Sequence, residues 1–139
     1  MKLSVKSDYA ARAVLSLARR HHSGSATRVE EIASENQVPG NYLVQILIEL
    51  KSHQIVKSHR GKGGGYLLAR APAQISVGDV LRCIHGKLFD SPALTDPQCP
   101  SELREAWRQL QENLNSKADS ITFQKLLENA MDRERMFYI

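Results

Sequence analysis

Residues 27–52 read TRVEEIASENQVPGNYLVQILIELKS, a stretch that contains two short helical patterns separated by one break. Thr27 and Glu30 have the spacing of a capping box, in which a hydroxyl and a carboxylate each accept a bond from an unpaired backbone N–H. The spacing predicts a helix over 27–36. Val38-Pro39-Gly40 follows, and because proline disfavours helical backbone before it, the chain must turn there.

The second helix of this stretch, predicted over 41–52, has one apolar and one polar face. Its apolar residues recur every three or four positions and are expected to be buried: Leu43, Ile46, Leu47 and Leu50. Beside Asn41, an outward stripe is formed by Tyr42, Gln45, Glu49 and Ser52. Two short helices joined by a few residues that include glycine are typical of a helix-turn-helix.

The flanking segments extend this motif. A broad apolar stripe predicts an earlier helix over 8–20, with Ser7 as its N-cap. After the motif, residues 54–59 can pair with 65–70 across a glycine-rich tip, and a further short helix is predicted within 76–86. The order helix, helix, turn, helix, hairpin is that of a winged helix-turn-helix, so the predicted fold class is mainly α with a small β-hairpin wing.

The C-terminal part has a different organisation. Residues 87–100 contain three prolines and no clear period, which predicts a loop. A long helix is expected over 101–117, and a last one begins near Thr122. Four apolar residues of the long helix recur by four, three and four, as in helices that pack along another helix: Leu103, Trp107, Leu110 and Leu114. We therefore divide the chain into a winged-helix unit (1–86), a loop (87–100) and dimerisation helices (101–139).

Composition narrows the class of protein. The 139 residues are 42% hydrophobic and 24% charged, which is ordinary for a globular chain. No run approaches the ~20 apolar residues of a membrane span, and the N-terminus lacks the pattern of a signal peptide, so we expect a cytoplasmic protein without membrane contact.

Charge is distributed unevenly along the chain. Lys and Arg exceed Asp and Glu by 13 to 6 in residues 1–87 but are outnumbered 6 to 9 in 88–139, which favours a polyanionic partner for the first part.

Motifs of catalysis are missing from the sequence. The run Gly61-Lys62-Gly63-Gly64-Gly65 lacks the spacer and the Lys-Ser/Thr ending of a P-loop. The five histidines and two cysteines show no zinc-ligand spacing, and two cysteines make no disulfide framework. We therefore expect neither an enzyme nor a zinc protein.

Side chains near the start of the second helix are suited to reading DNA. The amides of Asn41 and Gln45 can make paired hydrogen bonds to adenine, and the phenol of Tyr42 can hold a phosphate. Taken alone, this pattern is equally that of a solvated helix face. Glu49 is expected to stay away from phosphates or to face a cytosine.

The hairpin tip favours the DNA interpretation. His59, Arg60 and Lys62 are interleaved with glycines that allow close approach of the backbone, and Arg28 lies near the start of its helix. The alternative is a plain turn with solubilising cations. A rival function is a winged-helix protein-interaction module that no longer reads DNA and docks a partner through an apolar patch formed by Tyr42, Val44 and Ile48.

Four segments resemble successive parts of the Rrf2 family of bacterial transcription regulators: MKLSVKSDYAARAVLSLA, VEEIASENQVPGNYLVQIL, IVKSHRGKGGGYLLAR and ISVGDVLRCIHG. The similarity covers about residues 1–86 and is most specific in the R-G-x-G-G-G-Y-x-L wing. It implies a homodimeric regulator, more often a repressor, that binds double-stranded DNA at a partly palindromic operator. It also places Asn41, Tyr42 and Gln45 on the reading helix, Arg60 at the wing tip and the long helix at the dimer interface.

The loop 87–100 corresponds to the sensor loop of the family, and here the sequence departs from cluster-binding members, which carry three cysteines there. This loop contains only Cys99, although a dimer could bring Asp8 of one chain near Cys99 of the other to hold a [2Fe–2S] cluster or another metal. Cys99 can instead be a thiol that senses oxidation directly, or an ordinary loop residue. Of these alternatives, the sequence favours Cys99 as an ordinary loop residue, and therefore no cofactor. Cys83, in contrast, is predicted to be a core residue.

Overall fold

A computed structural model of the chain describes residues 2–137, and over this range it contains six α-helices and one antiparallel hairpin. In chain order the elements are α1 (Val5–Arg19), α2 (Val29–Asn36), α3 (Gly40–Ser52), β1 (Val56–His59), β2 (Gly65–Leu68), α4 (Val77–His85), α5 (Ser101–Ser120) and α6 (Phe123–Phe137). Short 3₁₀ turns occur at His21–Ser23, Pro72–Gln74 and Pro92–Leu94. Within the described range, no helix is both long and apolar enough to cross a membrane. The predicted class, mainly α with a hairpin wing, is confirmed.

Helix α1 begins three residues earlier than the sequence predicts. Ser4, not Ser7, is its N-cap, since the Ser4 side chain accepts a hydrogen bond from the backbone N–H of Ser7 at 3.1 Å. Ser7 is instead fully buried, and its hydroxyl lies 2.5 Å from Nε2 of His85 at the end of α4. The first turn of α1 is therefore tied to α4.

Helix α2 also starts differently from the prediction. Its N-cap is Arg28, which makes no side-chain cap bond, so the capping box expected for Thr27 does not form. The backbone of Thr27 is engaged elsewhere: its N–H donates to the Tyr66 carbonyl, and the Tyr66 N–H donates to the Thr27 carbonyl, both at 2.8 Å. This bridge joins the segment before α2 to strand β2.

The wing is a two-stranded hairpin in which Val56 pairs with Leu68 and His59 with Gly65. It is shorter than predicted because Gln54 has a left-handed backbone (φ 60°) and belongs to the turn after α3. Since a two-stranded hairpin alone is marginally stable, the added bridge to the segment before α2 helps to hold the wing against the helices.

One hydrophobic core holds the helices together, and it includes the inward stripe of α3. The largest fully buried side chains are Phe123, Ile32, Leu43, Ile46, Leu47, Leu50, Ile55, Ile75, Val14, Val56 and Val80. Phe123 is the first residue of α6 and is 0% exposed, so the C-terminal helix is anchored in the same core as α1 and α3.

The later helices follow the sequence signals closely. Ser76 and Asp79 form a complete capping box at α4, with bonds of 2.9 and 3.0 Å, and Gly86 ends that helix as predicted. At the start of α6, the hydroxyl of Thr122 accepts a bond from the backbone N–H of Lys125 at 3.2 Å. Helix α5 runs to Ser120, three residues beyond the predicted end.

Replacing Gly65 by alanine should destabilise the fold, because a Cβ there would overlap the backbone carbonyl of Thr27. Since backbone cannot move aside as a flexible side chain can, we expect a loss of about 1–3 kcal/mol in the free energy of unfolding, measured by urea denaturation. Gly40→Ala is the matched control: its Cβ position is open, and alanine is the better helix former. Equal unfolding midpoints for the two variants would contradict this account of the bridge.

Candidate nucleic-acid interface

Four side chains are exposed near the start and middle of α3, and we call them its exposed face: Asn41, Val44, Gln45 and Ile48. Lys51 and Ser52 are exposed at the C-terminal end of the helix. The inward stripe agrees with the prediction, because each of its four apolar residues is 0% exposed. The outward stripe is displaced by about one residue from the predicted one. Gln45 and Ser52 are exposed as expected, whereas Tyr42 and Glu49 are half-buried at the edges of the face.

Tyr42 packs against α1. Its ring makes an edge-to-face contact with Tyr9, with centroids 5.8 Å apart and planes at 77°, and the guanidinium of Arg12 lies 5.6 Å from the Tyr9 ring centroid. Half of the Tyr42 side chain therefore serves packing between α1 and α3. Its role as a phosphate contact remains a prediction.

Glu49 is paired within the protein. Its carboxylate accepts a bond from Nζ of Lys6 at 2.6 Å, and this hydrogen bond is the main cause of the raised pKa of Lys6. Both side chains are partly exposed, so the pair contributes only ~0–1 kcal/mol to stability. The pair matters for electrostatics, because Lys6 of α1 neutralises the negative charge of Glu49 on α3.

The cations of the wing are exposed, as predicted. His59 ends β1, and Arg60 and Lys62 follow in the tip. Over residues 2–137, no carboxylate lies within ion-pair distance of these three side chains. Gly61 and Gly63 have φ of 103° and 79°, a backbone that only glycine adopts readily, so the tip carries positive charge on a slim turn.

Arg28 lies beside the wing. It is exposed and directly follows Thr27, whose backbone pairs with Tyr66 of β2. The bridge therefore brings Arg28 next to a strand that is almost forty positions away in sequence. Sequence reasoning had singled out Arg28 only through its place at a helix start.

The predicted dimerisation stripe is partly uncovered in the single chain. Leu103 and Leu110 are 42% and 50% exposed, and Trp107 and Leu114 are half-buried. On its other side, α5 packs against α4 and the 3₁₀ turn Pro92–Leu94. An apolar row thus remains open along the helix.

The end of the loop 87–100 is bonded to a side chain of α5. Nη2 of Arg104 donates to the carbonyl oxygens of Asp96 and Cys99, at 2.6 and 2.9 Å. The thiol of Cys99 lies 3.6 Å from the Pro100 carbonyl oxygen, and Asp8 forms an ion pair with Arg12 at 2.8 Å. In the described part of the chain, no group of three or more His, Cys, Asp or Glu side chains is close enough to hold a metal ion.

Cys83 packs against the core from α4, as predicted, and is half-buried. Its thiol lies 3.4 Å from the backbone carbonyl oxygen of Glu49, to which it donates. Burial raises the pKa of the Cys83 thiol to about 11, and the Glu49 charge acts in the same direction. Cys83 is therefore held as a neutral thiol against α3.

A helix-turn-helix with an exposed amide-bearing helix and a cationic wing is a DNA-reading architecture. Comparison with known proteins decides the family, because the sequence model of Rrf2, an iron-dependent transcriptional regulator, matches residues 3–129. The chain belongs to the Rrf2 family. The predicted resemblance and the function of a transcription regulator are thereby confirmed.

Individual members of the Rrf2 family are similar to this chain in both sequence and structure. The HTH-type transcriptional regulator CymR of Bacillus subtilis is 33% identical over 141 residues, covering all of both chains. The structure of CymR, the global cysteine regulator of B. subtilis, superposes with a TM-score of 0.82 at 29% identity and covers 93% of this chain and 98% of that one. T. potens IscR gives a TM-score of 0.76 at 31% identity, with coverage of 94% and 88%.

The iron dependence in the family description can be tested against the donors present. An iron–sulfur cluster is held mainly by several thiolates. Within one described chain, the sensor loop offers the single thiol of Cys99, and the Arg104 guanidinium bonds to the backbone on either side of it. Asp8 is already paired with Arg12. These residues do not form a cluster site within one chain.

The raised pKa of Cys83 predicts slow, strongly pH-dependent alkylation. In a Cys99→Ser variant, the rate of reaction with iodoacetamide should rise about tenfold per pH unit from pH 7 to 10, because only the thiolate reacts. In urea, where the chain is unfolded, the rate of Cys83 alkylation should level off once the pH passes the ordinary thiol pKa of 9.0. Since the fold holds this proton more tightly than the unfolded chain, raising the pH from 9 to 11 should also lower the free energy of unfolding. A plateau below pH 9.5 in the folded protein would contradict the burial of the thiol.

Proposed function

We propose that the protein is a cytoplasmic homodimer that binds a partly palindromic operator in double-stranded DNA and represses transcription. The observation that carries the proposal is the combination of exposed amides on α3 with exposed cations on the wing. Amides of Asn41 and Gln45 are suited to base edges in the major groove, and Arg60 and Lys62 are suited to the phosphates or the minor groove.

The charges around this surface support DNA as the partner. Arg28 extends the cationic wing, and the one acidic residue of α3, Glu49, is neutralised by Lys6. Helix α3 therefore adds no uncompensated negative charge to the basic excess of residues 1–87. A protein-interaction module would need neither exposed cations on the wing nor a Glu49 charge that is neutralised by Lys6.

Binding to fragmented genomic DNA at physiological salt tests the proposal. The wild-type protein should retain specific fragments, and Arg60→Ala should weaken binding to them by about 1–3 kcal/mol through the loss of a charged contact. Gln45→Ala should relax base preference at one position in each half-site. Arg133→Ala, which removes an exposed cation from α6, is the control and should bind as the wild type does. If no fragment is retained, the interaction-module alternative replaces the proposal.

We further infer that the dimer forms along α5, because an apolar row on a helix of a DNA-binding protein is covered most simply by its own copy. Leu103 and Leu110 are the exposed members of that row. A two-fold axis here would present two α3 helices to one face of a duplex, at half-sites about one helical turn or a multiple apart.

Leu110→Glu should convert the dimer to a monomer, because a buried, unpaired carboxylate at the centre of the row is costly. Analytical ultracentrifugation measures the change, and the affinity for the full operator should fall with it. Gln109→Glu adds the same charge outside the apolar row and should leave the dimer intact. A Leu110→Glu protein that stays dimeric would place the interface elsewhere.

A further inference from the structure

Two aliphatic side chains stand on the reading face of α3 among polar neighbours. Val44 is 37% exposed and Ile48 is 51% exposed. Gln45 lies beside Val44, and Asn41 lies one turn before it, both exposed. The surface proposed to read bases is therefore half amide and half aliphatic.

Folding does not account for Val44 and Ile48. The core beneath α3 is filled by four other residues of the helix, each 0% exposed, and neither Val44 nor Ile48 belongs to the core or to the partly buried residues around it. Both are β-branched, which lowers helix propensity slightly. An exposed helix position would ordinarily carry a polar or straight-chain residue, so these two side chains point to an apolar ligand outside the fold.

The residues around Val44 and Ile48 favour DNA as the molecule that supplies the apolar ligand. Gln45 and Asn41 flank it, the cations of the wing belong to the same winged unit, and the acidic Glu49 is shielded by Lys6. Even together with the half-buried Tyr42, Val44 and Ile48 are too few for the apolar centre of a protein–protein interface, which involves many residues on each side. The major groove offers one apolar group at its base edges, the C5-methyl group of thymine.

We propose that Val44 and Ile48 contact thymine methyl groups in the major groove and thereby help to set the operator sequence. The inference rests on the proposed DNA binding and adds a base identity to it. The two residues are four positions apart, ~6 Å along the helix axis at 1.5 Å per residue. That separation is close to two base steps of ~3.4 Å. Each half-site should therefore contain thymines near the adenine that Gln45 is suited to read.

Deoxyuridine substitution isolates the methyl group, because deoxyuridine pairs like thymidine but lacks the C5-methyl. A retained operator fragment is synthesised with each thymidine replaced in turn, and dissociation constants are measured for each duplex. The wild-type protein should lose about three- to fivefold in affinity at one or two thymines per half-site, the factor expected from ~0.8 kcal/mol per buried methyl-sized group.

Two alanine variants, Val44→Ala and Ile48→Ala, show which thymine methyl group each side chain contacts. Each variant should bind the thymidine duplex more weakly and should become insensitive to deoxyuridine at its own position, while staying sensitive at the other. Val5→Ala is the matched control, since Val5 is 62% exposed on α1, and it should keep the wild-type pattern.

The outcomes separate this inference from the proposed function. Operator binding that tolerates deoxyuridine at every position, or variants that keep the full wild-type sensitivity, would overturn the thymine contacts and leave DNA binding in place. Variants that bind every duplex as the wild type does would overturn the thymine contacts as well, because neither side chain would then contribute to DNA binding. A wild-type protein that retains no duplex at all would overturn the proposed function, and this inference with it.

Discussion

The position of the wing depends on two backbone hydrogen bonds between Thr27 and Tyr66, each 2.8 Å long. They require the chain before α2 to lie directly against β2, and Gly65 makes this approach sterically feasible because it has no Cβ. The bridge couples the hairpin to the helix-turn-helix across a long sequence separation, and it brings Arg28 beside the wing. A cation that is distant in the chain is thereby placed next to the strand that leads from the wing tip.

The reading helix is held from three directions. Its apolar side is buried on the core, its first turn is packed by the contact between Tyr42 and Tyr9, and its last turns are tied by Lys6 to Glu49 and by Cys83 to the Glu49 carbonyl. The contacts at the first and last turns come from α1 and α4, outside the helix-turn-helix itself. A recognition element held in this way is preorganised, which lowers the cost of ordering side chains when a ligand binds.

Local signals in the sequence predicted most of the helices and the inward stripe of α3, since helical spacing and capping patterns depend on near neighbours. The capping box at Ser76 formed, whereas the similar pattern at Thr27 did not, because pairing with the distant Tyr66 uses that backbone instead. The half-burial of Tyr42 was missed for the same reason: Tyr9 lies on another helix, and no helical wheel includes it. The fold class and the exposure of most candidate site residues were thus predictable, but contacts between distant segments were not.

The four residues of the exposed face of α3 contribute no side-chain hydrogen bond to the described part of the chain and take no part in its core. Surface substitutions at such positions ordinarily change stability by less than ~0.5 kcal/mol. The scaffold therefore tolerates almost any side chain at Asn41, Val44, Gln45 and Ile48. After gene duplication, one copy can acquire a new target through a few codon changes without passing through a misfolded intermediate, so this small surface is where paralogues can diverge.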